Sequence, residues 1–181
     1  MPARYHFFSS YHLSTSREAV WEALQDVESW PSWWRWLKQI ETVKDPTSDD
    51  GVGASYRNRM SSPLGVGFTY TTTITAVERP RRIDLVSAGD LQGRGQWNLL
   101  DAPGGGTVLT YTWLAETTKW WMNLVAPVGR PAFVWNHDRL MTDFGRGFAK
   151  AAGATLGETR NEIVRPGDPG FFEMPAPVPP A

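Results

Sequence analysis

The sequence predicts a single α+β domain, and three observations lead to that fold class. An alternating segment near the N-terminus is followed by a short amphipathic stretch, a run of strand-like segments occupies the middle, and an apolar helical stripe comes last. Short turns separate the middle segments, so successive strands should pair as antiparallel neighbours. An antiparallel sheet buries one face, and the last helix is the only long element available to cover it.

The first strand is predicted in RYHFFSSYHL, where aromatic residues alternate with polar ones and place His6 and His12 on the outer face. The first helix follows in STSREAVWEALQDV. Thr15 and Glu18 have the spacing of a capping box, which satisfies free amides at a helix start. Trp21 lies in the apolar stripe that follows, so we expect it in the core.

The first helix should end near Ser29, because Pro31 disfavours helical geometry at Trp30. A short second helix or turn is expected to carry Trp33 and Trp34. Strand segments then follow from residue 37 to 117, and the first of them, with apolar residues spaced by three, is predicted to be a strand with a bulge. The segments are WLKQIETVKD, GASYRNRM, VGFTYTTTITAVE, RRIDLVS, LQGRGQWNLL and GTVLTYTWLAE.

The C-terminal third predicts helices and then a tail. TKWWMNLVA could form a short helix that Pro127 ends, and Pro131 suits the first turn of a longer helix. Gly145 and Gly147 weaken that helix, so they indicate a close approach to the sheet or a bend. We place the domain at residues 1–157 and interpret the Pro-rich residues 158–181 as an extended or disordered tail that adds little to folding.

Composition excludes several function classes. The net charge is −1, so no basic field attracts nucleic acid. No cysteine is present, and of the three histidines His6 and His12 face away from the core, so we expect neither a metal nor another cofactor. No apolar stretch reaches the roughly 18 residues of a membrane span and no signal peptide is apparent. A cytoplasmic protein without stable membrane insertion is the expectation, and the oligomeric state stays open.

Several sequence segments resemble those of the polyketide cyclase/dehydrase group of the START-like, Bet v 1-like (SRPBCC) superfamily. They are SREAVWEALQDVESWPSWW, GDLQGRGQWNLL, GGGTVLTYTW and RPAFVWNHDRLM, and the resemblance covers about residues 3–153. It implies a helix-grip fold, in which a curved seven-stranded antiparallel sheet wraps around a long C-terminal helix, with two short helices after the first strand. It also implies an internal cavity for a lipid, polyketide or similar apolar ligand. Some relatives are cyclases or dehydratases, and others bind and carry.

Alternation along the strands predicts which side chains face this cavity, and plain core packing would give the same pattern. Inward polar groups favour a cavity, since buried polar groups need partners. Gly93 and Gly95 should leave room, and we expect a pocket of about 300 Å³ or more. The predicted ligand-binding residues are Trp33, Tyr56, Asn58, Phe68, Tyr70, Thr72, Trp97, Tyr111, Trp113, His137 and Met141.

The segment WPSWWRW (30–36) concentrates four tryptophans. Its first interpretation is a hydrophobic plug at one end of the fold, because each ring buries a large area. Its second is that one or two of Trp30, Trp33 and Trp34 form the end wall of the cavity. Trp36 follows Arg35 and could be exposed.

His137 lies in the apolar stripe of the last helix, so it should point at the sheet. It could be a structural core histidine, a hydrogen-bond partner of the ligand, or a catalytic acid/base, because histidine titrates near neutral pH. Asp138 points elsewhere and is expected to pair with an arginine. Two functions follow: a module that binds an apolar small molecule, and, as the alternative, a polyketide cyclase or dehydratase that uses His137. A weaker third idea is delivery of cargo at a lipid surface.

Overall fold

The computed structural model describes residues 4–117 and 120–164, and within them the side chains of residues 5–116 and 131–164. Its element order confirms the α+β class, with two short helices after the first strand and a long helix late in the chain. The elements are β1 (Arg4–Leu13), α1 (Arg17–Gln25), a 3-10 turn (Val27–Ser29), α2 (Trp30–Trp33), β2 (Leu37–Lys44), β3 (Ser55–Ser61), β4 (Gly67–Glu78), β5 (Arg82–Gly89), β6 (Leu91–Asp101), β7 (Thr107–Thr117), α3 (Trp120–Ala151) and β8 (Leu156–Ile163).

The strands of the described residues form one sheet in the order β2-β3-β4-β5-β6-β7-β1-β8. Every pair is antiparallel, as the short turns predicted. The register of β2 against β3 shifts twice, so the predicted bulge in this strand is confirmed. The first strand lies between β7 and β8, which brings the two ends of the domain together.

The sheet has eight strands among the described residues rather than the predicted seven, because Leu156–Ile163 pairs with β1. Its sequence, LGETRNEI, is polar except at its two ends, as suits an exposed edge strand, and so it lacked the alternation that marks a half-buried one. The predicted tail boundary at residue 158 falls inside this strand. The domain therefore continues to Val164, whose amide donates to the carbonyl of His6 at 2.9 Å, and the later part of the tail lies outside the described residues.

The first helix begins one residue later than the capping-box spacing predicted. Ser16, not Thr15, is the N-cap, and its hydroxyl accepts from the amide of Ala19 at 3.3 Å. Trp30 has helical dihedrals (φ −55°, ψ −41°), contrary to the expectation from Pro31. The proline lies in the first turn of α2, where its missing amide costs no hydrogen bond.

The long helix is continuous from Trp120 to Ala151, so the predicted break at Pro127 is wrong. An internal proline removes one hydrogen bond and crowds one carbonyl, at a cost of about 3 kcal/mol or more that commonly kinks or breaks a helix, and α3 continues through Pro127 despite that cost. No helix within the described part of the chain is long and apolar enough to cross a membrane.

The C-terminal half of α3 holds the core together. Phe144 and Phe148 are fully buried and stack on one another at 5.3 Å. A Cβ on Gly145 would lie 2.5 Å from the ring of Tyr11 on β1, so this glycine permits the predicted close approach to the sheet. Gly147 instead permits a close approach of α2, because a Cβ there would lie 2.6 Å from the carbonyl oxygen of Trp33.

Candidate functional site

A cavity of about 370 Å³ lies between the inner face of the sheet and α3. Its volume is within the range of small-molecule sites. Its wall contains ten of the eleven residues predicted to bind ligand, and their role in binding stays a prediction. These ten are Tyr56, Asn58, Phe68, Tyr70, Thr72, Trp97, Tyr111, Trp113, His137 and Met141.

Cross-strand register explains how residues far apart in sequence share this wall. Side chains directly opposite one another on neighbouring strands point to the same face of a sheet. One row of partners therefore crosses the whole floor of the cavity from β3 to β1: Tyr56, Thr72, Ser87, Gly93, Ala115 and Tyr5.

Some inward polar groups satisfy each other. The amide of Asn58 donates to the carbonyl of Tyr56 at 3.0 Å and to the hydroxyl of Thr72 at 3.1 Å. The hydroxyl of Tyr70 donates to the sulfur of Met60 at 3.0 Å. These groups therefore form a polar cluster at the β3–β4 side of the cavity. The sequence analysis expected a ligand or water to provide hydrogen-bond partners for the inward polar groups, and protein atoms provide some of those partners instead.

The predicted room at two glycines is taken by the protein itself. Trp97 and Tyr111 stack at 4.1 Å between ring centroids. A Cβ on Gly95 would lie 2.6 Å from the hydroxyl of Tyr111, so Gly95 accommodates that tyrosine and does not leave space for a ligand. Gly93 has φ +154°, and a Cβ there would collide with the backbone of Leu114.

Both interpretations of the tryptophan cluster, a hydrophobic plug and a cavity wall, apply to it. Trp30 and Trp34 line the cavity, and both meet Phe144 edge-on, at 5.7 and 5.1 Å. The indole of Trp34 also donates to the carbonyl of Leu140 on α3 at 3.1 Å. Two rings of the cluster therefore close one end of the fold and form part of the cavity wall.

Trp33 does not line the cavity, so its predicted place in the wall is wrong. It packs edge-on against Phe148 at 5.9 Å and lies over Gly147. Alternation is not available in a four-residue helix, and the period of 3.6 turns neighbouring side chains about 100° apart. Trp33 consequently points at α3 while Trp34 and Trp30 face the cavity.

Asp143 on α3 anchors the segment that follows α2. Its carboxylate accepts from the indole of Trp36 at 2.8 Å and from the guanidinium of Arg35 at 2.5 Å. Burial opposes ionisation of this carboxyl, but the hydrogen bonds from Trp36 and Arg35, together with the positive charges of Arg35 and Arg139, hold its pKa below the usual value. Trp36 is thus half-buried and bonded rather than exposed as the sequence analysis suggested.

His137 faces the sheet from α3, as its place in the apolar stripe predicted. Its imidazole stacks on Phe7 at 3.7 Å with an interplanar angle of 8°, and Trp113 lies 6.2 Å away. The residue is 7 % exposed, and its Nε2 atom has no hydrogen-bond partner among the described residues. Burial lowers the pKa of the imidazole to about 3.

Asp138 accepts a hydrogen bond from the side-chain amide of Asn161 on β8 at 3.2 Å. The expected pairing with an arginine is therefore replaced, within the described part of the chain, by a contact with the strand that the sequence analysis did not predict. This contact ties α3 to the edge of the sheet. Asp138 is exposed and does not belong to the cavity wall.

Among the wall residues that were missed, two are buried and polar. Ser87 is 8 % exposed, and its hydroxyl has no hydrogen-bond partner among the described residues. Alternation in RRIDLVS could have found it, because Ile83 and Leu85 share its face. Asn136 is buried beside His137 and accepts from the amide of Leu64 at 3.3 Å, and a single polar residue in a helix gives no comparable signal.

Comparison with known families gives one match. Residues 13–141 match the family model described as polyketide cyclase / dehydrase and lipid transport. No curated protein matches the chain in sequence.

No group of three or more His, Cys, Asp or Glu residues in the described part of the chain could hold a metal ion.

Several solved structures share the fold. A conserved protein from Geobacillus kaustophilus is 20% identical with a TM-score of 0.64, over 84% of this chain and 99% of that one. The Zhui aromatase/cyclase from Streptomyces sp. R1128 is 14% identical with a TM-score of 0.64, over 83% and 94%. A START superfamily protein from Mycobacterium smegmatis is 15% identical with a TM-score of 0.65, over 82% and 97%. At these identities the likeness establishes the fold alone.

Proposed function

Because the chain belongs to the polyketide cyclase/dehydrase and lipid transport family, we propose that it binds an apolar small molecule in the cavity between the sheet and α3. The observation that carries this proposal is a 370 Å³ space whose wall is mainly aromatic and aliphatic. Well-packed interiors contain few voids larger than a water molecule. A void of this size, walled by side chains from the sheet, α2 and α3, is therefore a site rather than a packing defect.

The chemistry of the wall favours an apolar ligand. No lysine or arginine is found among the described residues that line the cavity, and the one carboxylate, Asp50, is fully exposed. A charged ligand group buried there would lack a counter-ion, which costs several kcal/mol. Aromatic rings such as Trp97 and Trp113 instead offer flat surfaces for stacking.

Binding rather than turnover is the proposed role, because the titratable groups of the inner wall are poorly tuned for proton transfer. General acids and bases work best with a pKa near the operating pH. Burial holds the pKa of His137 at about 3 and raises the pKa of Tyr70 and of Tyr111 above the ordinary tyrosine value. Each of these groups stays neutral at pH 7 and serves better as a hydrogen-bond partner than as an acid or base.

A cavity-filling variant tests the proposal. Ser87→Phe puts a ring into the cavity from β5, whereas Ala88→Phe puts the same ring on the exposed outer face of the same strand. We expect isothermal titration with 2-naphthol to detect binding to the wild type and to Ala88→Phe, and a loss of at least tenfold in affinity for Ser87→Phe. Native mass spectrometry of the purified protein should also release a co-purified apolar molecule. Equal affinity of the two variants would place binding elsewhere.

A further inference from the structure

We propose that His137 and Ser87 determine ligand specificity and select an uncharged aromatic ligand that carries a hydroxyl group. This inference rests on the proposed function, and it narrows the ligand from apolar molecules in general to one chemical class. It separates a hydroxylated aromatic from a hydrocarbon and from a carboxylic acid such as a fatty acid.

The first observation is that three residues of the cavity wall have a buried polar atom without a hydrogen-bond partner among the described residues: His137, Ser87 and Trp30, whose indole nitrogen can only donate. His137 Nε2 and Ser87 Oγ lack partners among the described residues, although both side chains are more than nine-tenths buried. A buried polar atom without a partner costs about 1–3 kcal/mol. Native structures contain few such atoms, and each needs an explanation.

Their positions give the second observation. His137 comes from α3, above the cavity, and Ser87 comes from β5, on its floor. The imidazole is held flat against Phe7 at 3.7 Å, which fixes the plane in which Nε2 can form a hydrogen bond. Both polar atoms lie beneath the cavity surface, so a ligand can reach them only if the side chains around them rearrange. A planar molecule that stacks on the aromatic wall would then meet polar atoms at its edges.

A hydroxyl is the group that fits these atoms best. Nε2 of a neutral imidazole is a donor in one tautomer and an acceptor in the other, and a serine hydroxyl is both. A ligand hydroxyl also donates and accepts, so it satisfies either tautomer of His137. A carbonyl satisfies only the tautomer with a proton on Nε2, and a hydrocarbon satisfies neither.

Charge on the ligand is disfavoured by the same wall. A carboxylate would need a cation beside it, and the described lining residues provide neither lysine nor arginine. Protonation of His137 to supply the positive charge would be energetically unfavourable, because burial lowers the pKa of its imidazole. Carboxylates should therefore bind weakly even when their ring system fits.

Three probes with one ring system test the proposal: naphthalene, 2-naphthol and 2-naphthoate, titrated calorimetrically at pH 7. We expect 2-naphthol to bind at least tenfold more tightly than either of the others. His137→Phe keeps an aromatic ring against Phe7 but removes the polar atom, so it should reduce the preference for 2-naphthol over naphthalene to less than threefold. His12→Phe, the same change on the outer face of β1, should keep the wild-type preference.

Two further variants test the same proposal if His137→Phe folds poorly. Ser87→Ala removes the second polar group with little change in volume and should also lower the preference for 2-naphthol. His137→Gln keeps a hydrogen-bonding group and should retain part of it. Naphthalene or 2-naphthoate binding as tightly as 2-naphthol would overturn this inference alone. Failure of all three probes to bind would overturn the proposed function with it.

Discussion

At the scale of single residues, burial of His137 makes stability depend on pH. The pKa of the imidazole is about 3 in the folded chain and 6.5 as its ordinary value. The unfolded chain therefore binds a proton between these values that the folded chain does not. The stabilising contribution is complete above pH 6.5 and is lost as the pH falls toward 3. From pH 7 to pH 5 we expect the free energy of unfolding to fall by about 2 kcal/mol through this residue.

Urea unfolding of the wild type and of His137→Gln at both pH values measures this effect. Burial lowers the pKa of His6 as well, but that contribution is present in both proteins and cancels in the comparison. The wild type should lose about 2 kcal/mol more than the variant between pH 7 and pH 5. The same loss in both proteins would show that His137 is protonated in the folded state.

A second residue-scale prediction concerns Gly145→Ala. Alanine favours a helix over glycine by about 1 kcal/mol, so propensity alone predicts a gain. The added methyl would lie 2.5 Å from the ring of Tyr11, which is fully buried and donates its hydroxyl to the carbonyl of Met141 at 3.0 Å. Because that ring cannot withdraw, overpacking should win and destabilise the protein by about 1–2 kcal/mol.

Thermal and urea unfolding of Gly145→Ala check this sign. Lys150→Ala, an exposed change on the same helix, is the matched control and should shift the free energy of unfolding by less than about 0.5 kcal/mol. A stabilised Gly145→Ala variant would mean that Tyr11 and α3 can move apart at little cost.

Sequence reasoning reached the candidate site where alternation applied and failed where it did not. Tyr56, Asn58 and Thr72 could be placed on the inner face because strands have a side-chain period of two. Trp33 could not be separated from Trp34 in a short helix. The unpaired atoms of His137 and Ser87 depend on distances between elements, which one-dimensional patterns do not contain.

At the scale of elements, β8 shows why an edge strand with polar side chains is difficult to predict from sequence. Its pairing with β1 depends on backbone hydrogen bonds, and its side chains give little hydrophobic signal. The sequence therefore predicted the hairpins of the sheet interior and missed an edge strand in which no side chain is fully buried. The continuous α3 was missed for another reason, since proline signals a boundary and packing decides whether the chain follows it.

Two truncations separate β8 from the residues after it. A chain that ends at Val164 keeps the strand, so its free energy of unfolding should stay within about 1 kcal/mol of the full chain. A chain that ends at Thr155 loses every β1–β8 hydrogen bond and should be destabilised by roughly 3 kcal/mol or more.

Equilibrium unfolding of the full chain and of both truncations gives the comparison. Similar stability of the chain that ends at Thr155 would show that β8 is dispensable to the sheet. A large loss on ending at Val164 would instead show that residues 165–181 contribute to folding, contrary to the expectation from their composition.

At the scale of the whole molecule, ligand binding and folding should be linked. A ligand that binds only the folded chain stabilises it by about 2.7 kcal/mol at one hundred times its Kd. We expect 2-naphthol at that excess to raise the melting temperature of the wild type and of Ala88→Phe. Ser87→Phe should show no such rise, and a rise equal to that of the wild type would contradict a site in the cavity.

The position of β1 has a consequence for synthesis on the ribosome. Arg4 pairs with Glu116 and Phe7 with Ile163, so both partners of the first strand are made last. At about 5–20 residues per second, the roughly 100 residues between β1 and β7 leave this aromatic strand without its first neighbour for about 5–20 s, and β8 follows later. An unpaired edge of this kind invites aggregation. Until β7 emerges and pairs with Arg4–Leu13, we expect collapse around α1 and α2, or a bound chaperone, to protect this strand.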